Sequence, residues 1–171
     1  MRATSLLVFT CYFVLPSLNE DFTYLLTYLG IFITNNLSWN EHCDKNCKQA
    51  NATLGLLRRI LSGCAPQVKN TAYCMLVRPK LEYARSVWNP HTKCNVDKIE
   101  MVQQRAARFV CHDYSRYSHV STMINALGWE SLEQRRLNNQ VCMFYKIYSG
   151  VVGITLPAEI NPLTRVSRYP N

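Results

Sequence analysis

Residues 38–63 read SWNEHCDKNCKQANATLGLLRRILSG, and the fold turns on them. Cys43, Cys47, Ala50, Leu54, Leu57 and Leu61 recur at alternating spacings of four and three. On a helix turning about 100° per residue, that spacing aligns them on one face. Ser38-x-x-Glu41 ahead of them is a capping-box pattern, in which hydroxyl and carboxylate each satisfy a free amide of the first turn. Gly63 supplies the stop. A long helix with a single apolar stripe needs partners for that stripe, so a mainly α domain is expected.

The neighbouring segments continue the helical period. Pro66 stands where a first turn tolerates it, followed by Val68, Ala72, Met75 and Leu76 as the expected apolar face. Pro79 is expected to break or kink that helix, with Leu81, Ala84, Val87 and Trp88 carrying on to Asn89-Pro90. A third helix is expected over residues 96–111, with Ile99, Val102, Ala106, Phe109 and Val110 on one face. A short piece over residues 121–127 ends at Gly128. Ser131-x-x-Gln134 opens the last helix, with an expected stripe of Leu137, Val141, Phe144 and Tyr148 and an end at Gly150. Beyond it Pro157, Pro162 and Pro170 punctuate the chain. The expected organisation is a bundle of about five helices over residues 28–150. A short β or apolar segment at 1–27 precedes it, and an extended Pro-containing tail at 151–171 follows.

The chain has 171 residues, 48% of them apolar, which suits one domain with a core. Its net charge of +8 is concentrated: residues 58–108 carry ten Lys and Arg against three acids, and the remainder is close to neutral. An anionic partner is therefore expected to meet the middle of the chain. Apolar runs at residues 5–15 and 22–34 both fall short of the ~20 residues of a membrane span. The first has the length of a signal-peptide core but no small-x-small cleavage site follows it, and Val8, Phe9, Tyr12, Phe13 and Val14 also suit strands. Eight cysteines show no compact framework, which favours buried free thiols in a reducing, intracellular compartment over a disulfide scaffold.

Chemistry-bearing motifs are sparse. The sequence has no Gly-rich phosphate loop, HExxH, GxSxG or dinucleotide fingerprint. His42-Cys43-x3-Cys47 and Cys111-His112 lack the second ligand pair of a structural zinc site. Cys111 and His119 lack an orienting third residue for a hydrolase. Two-metal nucleotidyl transfer needs carboxylates brought together, and the only adjacent acids are Glu20-Asp21. No catalytic site, cofactor, metal or small-molecule substrate is expected.

A series of phrases in one order resembles the region after the catalytic core in reverse transcriptases of non-LTR (LINE-type) retrotransposons. They are Tyr28-Leu-Gly-Ile31, Leu37-Ser-Trp39-x-x-His42, Leu57-Arg58-Arg59, Val77-Arg78-Pro79-x-Leu81-Glu82-Tyr83-Ala84 and Val87-Trp88-x-Pro90. Next come Val102-Gln-x-Arg105-Ala-Ala-Arg108-Phe109-Val110, Asp113-Tyr114-Ser-Arg116 and Leu127-Gly-Trp129-x-x-Leu132-x-x-Arg135-Arg136. Phe144-Tyr145-Lys146-Ile147, Leu156-Pro157 and Pro162-Leu-Thr-Arg165-x-Ser-Arg168 complete the series, which covers roughly residues 28–171. The resemblance implies a thumb-like helical region that handles nucleic acid, following a Tyr-Leu-Gly strand near the primer grip. It also implies that the catalytic carboxylates belong upstream of Tyr28, so polymerase activity does not carry over. Residues 1–27 do not resemble the family's palm, and its aromatic Ser-Phe-Phe-Pro-type motif is not among these 171 residues. The chain resembles a piece of the larger enzyme, for which the missing palm would be a natural partner.

Within that resemblance, Lys98, Arg105 and Arg108 share one flank of the third helix, where they would track phosphates or pack their stems over the core edge. Arg58 and Arg59 close the long helix, where cations also favour the helix dipole. Arg135 and Lys146 read as surface, and Arg136 as a boundary residue able to pair with an acid. Of the aromatics, Tyr73, Tyr83, Trp88, Phe109, Trp129, Phe144 and Tyr145 read mostly as core. Tyr114 and Tyr117, beside Arg116, are the stacking candidates. The expectation is at most sequence-independent contact with RNA, DNA or a hybrid. The alternatives are a secreted or membrane-associated helical interaction protein, with residues 1–18 as signal or anchor, and a translated remnant without function.

Overall fold

The computed structural model describes residues 30–32 and 38–153. The expected N-terminal β or apolar segment, and nearly all of the expected tail, lie outside the described residues. Helices α1 (Asn40–Ile60), α2 (Pro66–Ala72), α3 (Arg78–Glu82), α4 (Lys93–Cys111), α5 (Val120–Ala126) and α6 (Leu132–Tyr148) follow in order. A π-helical turn (Tyr73–Val77) joins α2 to α3. Since α2, the π turn and α3 run on as one rod, the described residues form five helical units, as expected, and contain no strand.

The core is built on α1 and α4. Cys43, Cys47, Ala50, Leu54 and Leu57 pack with Ile99, Val102, Ala106, Phe109 and Val110, as the two stripes require. Three polar bonds cross the pair: Asn95 Nδ2 donates to Asn40 Oδ1 (2.6 Å), Lys98 Nζ to Asp44 Oδ1 (2.7 Å) and Arg105 NH1 to Asn51 Oδ1 (3.1 Å). Their sequence separations are 55, 54 and 54 residues. A nearly constant offset means that the helices run parallel and end at the same side of the molecule.

The rod from Pro66 to Glu82 corrects two expectations. Pro79 lacks an amide hydrogen and would clash with the carbonyl four residues back in an α-helix. Here the preceding turn is π, with the Arg78 amide donating to the Tyr73 carbonyl, and the rod passes Pro79 instead of breaking. The wider turn also moves the buried stripe to Lys69, Tyr73, Val77 and Leu81, a strict spacing of four, and leaves Val68, Met75 and Leu76 exposed. After Glu82 the helix does end. Ala84 takes a left-handed φ of 50°, and the following turn buries Trp88, whose indole N–H donates to the Tyr83 carbonyl (2.6 Å).

Helix α6 docks through an unexpected face. Leu132, Arg136 and Gln140 are buried, whereas Val141, Tyr145 and Tyr148 are exposed. Arg136 is 1% exposed, stacks 5.3 Å over Trp88 and donates to the Leu81 carbonyl (3.2 Å). Arg135 is not free surface either: with Arg78 and Arg85 it surrounds the Glu82 carboxylate. The Ser131 hydroxyl caps the Gln134 amide (3.1 Å), but the Gln134 side chain turns to Asn138. Glu100 of α4 instead accepts another first-turn amide, that of Glu133 (2.9 Å). At α1 the Ser38 box does not form. Trp39 is the N-cap and makes no side-chain cap bond, and its ring packs near Trp88 and His42.

Two expected outcomes follow from this packing. Leu54 lies in the α1–α4 seam, so Leu54→Ala should lower the urea-unfolding free energy by about 2–5 kcal/mol. His42 is buried edge-on against Trp88 (4.5 Å), with Phe32 N–H donating to Nδ1 (3.2 Å) and the Asn46 amide 2.9 Å from Nε2. A neutral ring cannot accept at both nitrogens, so Nε2 carries the proton, and the Asn46 amide, placed with Nδ2 towards the ring, must turn over to present its oxygen. Burial, then the Lys45 charge, lowers the imidazole pKa from 6.5 to about 4. The unfolded chain therefore takes up this proton first. Stability should be fully present above pH 6.5 and decline by up to ~3 kcal/mol as pH falls towards 4. Thermal melts across that window should show a flatter slope in His42→Gln.

Candidate functional site

Because α1 and α4 run parallel, both present their C-terminal carbonyls at one end of the bundle, where negative dipole charge accumulates. Cations answer it: Arg58 and Arg59 occupy the last turn of α1, and Arg108 that of α4. His112 closes α4 in a left-handed conformation (φ 53°), its amide bonded back to the Arg108 and Phe109 carbonyls. The loop then folds on itself, with the Asp113 carboxylate accepting the Ser115 amide (2.9 Å). Hydrogen bonds from Ser118 and Ser115 hold that carboxyl below the usual range. The Ser115 carbonyl accepts from Arg108 NH1 (3.0 Å). This folding brings Tyr114 within 5.1 Å of the Arg58 guanidinium.

The result is a groove of about 390 Å³ between the two helix ends and α2, lined by Arg58, Arg59, Lys69, Phe109, His112 and Tyr114 together with Gly55 and Ser62. No lining residue is acidic. Lys69 is 3% exposed, with its ammonium 5.5 Å over the Phe109 ring. Among the described residues no carboxylate lies within 4 Å of that ammonium.

The sequence candidates thus divide. Arg58, Arg59 and Tyr114 converge on the groove, and Arg108 braces its loop. Lys98 and Arg105 lie along the α1–α4 seam, engaged by Asp44 and Asn51. Arg116 is exposed on the loop beyond Tyr114 and does not line the groove. Lys69 was missed. Its signal was a lysine four residues before Tyr73 and eight before Val77, legible only with the π-turn register. Tyr83 and Tyr145, expected in the core, are exposed, because α3 ends before Tyr83 and α6 turns Tyr145 outward.

The thiols offer little chemistry. All seven described cysteines are free, but only Cys43 and Cys47 are buried, whereas Cys94, Cys111 and Cys142 are exposed. The expectation of buried thiols fails for those three because they lie off the docked faces of α4 and α6. Partial desolvation, followed by neighbouring Asp113, raises the pKa of the exposed Cys111, which disfavours a nucleophilic thiolate. No group of three or more metal-ligating residues occurs among the described residues, and no helix there is long and apolar enough to cross a membrane.

The chain is similar to the "Probable RNA-directed DNA polymerase from transposon BS" of Drosophila melanogaster, with 25% identity over 146 residues. The similarity covers 82% of this chain but 16% of that protein, so the chain spans a minor part of its relative's length. No family model matches the chain, and no solved structure matches it.

Thiol reactivity checks the helix faces directly. A maleimide should label Cys94, Cys111 and Cys142 in the native protein. Cys43, its pKa pushed up to about 12 by burial, should stay unlabelled until denaturant is added.

Proposed function

We propose that this chain derives from a retrotransposon reverse transcriptase and binds the backbone of RNA, DNA or their hybrid without reading sequence. The observation that carries this reading is the acid-free groove where Arg58, Arg59 and Lys69 meet. Clustered cations of this kind bind phosphates by releasing condensed counterions. The groove lining holds no Asn, Gln, Asp or Glu to pair with adenine or cytosine edges, and in our reading the contact is one of charge and shape. The similarity to a transposon polymerase supports a reverse-transcriptase-related origin. The chain lacks an Asp-Asp pair, and in our reading it is not itself a polymerase.

The exposed face of α6 favours a second reading, a protein-interaction module. Val141, Tyr145 and Tyr148 share one side of the helix, and Tyr145 is 67% exposed. Sedimentation would test it: self-association lost in Tyr145→Asp supports the module, and a monomer indifferent to the change removes its support.

The backbone reading has a direct measurement. Anisotropy titrations of the full chain with a labelled RNA–DNA hybrid should show log K falling linearly with log salt. Arg59→Ala should reduce that slope by about one. Lys98→Ala should leave it unchanged, since Lys98 is committed to Asp44. Absence of binding at low salt would overturn the reading.

A further inference from the structure

We infer that the groove at the shared end of α1 and α4 takes an unpaired nucleotide of a strand, its base against the Arg58–Tyr114 pair and its phosphate on Lys69 and Arg59. The inference rests on the backbone-binding reading above and narrows it. Three observations point away from a groove shaped for a duplex.

The first is the aromatic surface. Tyr114 is 49% exposed although it sits in a cationic groove, with the Arg58 guanidinium 5.1 Å from its ring. A duplex keeps its base faces inside its own stack and presents phosphates and base edges. Tyrosine and guanidinium planes have a use only where a base has left the stack. The second is size. About 390 Å³ lies near the lower end of small-molecule clefts, with room for one nucleotide.

The third is Lys69. Its stem is covered by the core and its charge has no carboxylate within 4 Å among the described residues, yet it lines the groove. Because Lys69 lines the groove, a strand's phosphate beside an inserted base can meet its charge there. Arg59 at the groove's rim then meets the same or the adjoining phosphate. Tyr114 and the Arg58 guanidinium offer planes to a π-face that all bases share.

The test uses the full 171-residue chain and three fluorescent probes: a blunt RNA–DNA hybrid, the same hybrid with a four-nucleotide 3′ overhang, and the single strand alone. The overhang and the single strand should bind about 5- to 100-fold more tightly than the blunt hybrid. Tyr114→Ala should abolish that preference, and Tyr114→Phe should retain it. Because Tyr114 sits on a surface loop, circular dichroism should be unchanged in both variants. Equal affinity for all three probes, with a steep salt dependence, would overturn the nucleotide groove while the backbone reading stands. Displacement of the strand by an equal concentration of free mononucleotide would also overturn it, in favour of a small-molecule pocket. No binding to any probe at low salt would remove both.

Discussion

The structure depends on α1 and α4 lying side by side in the same direction. Ala50 and Ala106 are fully buried between them, and such small side chains let the helix axes approach. Asn40–Asn95, Asp44–Lys98 and Asn51–Arg105 then fix the register along the pair's rim. Antiparallel neighbours would cancel their dipoles end to end. Parallel ones add them, and the C-terminal end of this pair has to be compensated by positive charge. The groove is the place where that compensation exceeds what the two helix ends need: Lys69 arrives from α2 in addition to the three arginines.

A second polar centre ties α6 to this frame. Glu82 draws in Arg78, Arg85 and Arg135, while Arg136 runs inward over Trp88. The Arg136 Nε and NH1 atoms are buried without a hydrogen-bond partner, so this guanidinium relies on the Trp88 ring and the Leu81 carbonyl. Burying a charge that way costs stability in comparison with an apolar residue of similar volume. What it supplies is orientation. Its hydrogen bond to the Leu81 carbonyl and its stack on Trp88 are directional, and together they set which face of α6 meets the frame.

Much of this was legible in the sequence, and the failures share a cause. The stripes of α1 and α4 were readable because both are long, regular and apolar on the buried side. The α2 stripe was misread because a π turn alters the period, and no local pattern signals a π turn except Pro79 two residues beyond it. The α6 stripe was misread because its buried face holds Arg136 and Gln140. Hydrophobicity cannot identify a face that is held by cation–π contact and amide bonds. The groove was half legible for the same reasons: Arg58, Arg59 and Tyr114 were visible as cations and a polar-loop aromatic. Lys69 was hidden by the register error.

The direction of the α1–α4 pair also governs when the protein can fold. Two antiparallel helices joined by a short loop can meet as soon as the second is made. Here the partners of each cross-bond stand 54 or 55 residues apart, so α1 leaves the ribosome long before α4 exists to cover it. At roughly 5–20 residues per second the wait is about 3–10 s, far longer than a helix takes to form. For that interval Leu54 and Leu57 lack the α4 residues that complete their core. A nascent chain of this protein therefore carries the apolar stripe of α1 incompletely covered until α4 has been made.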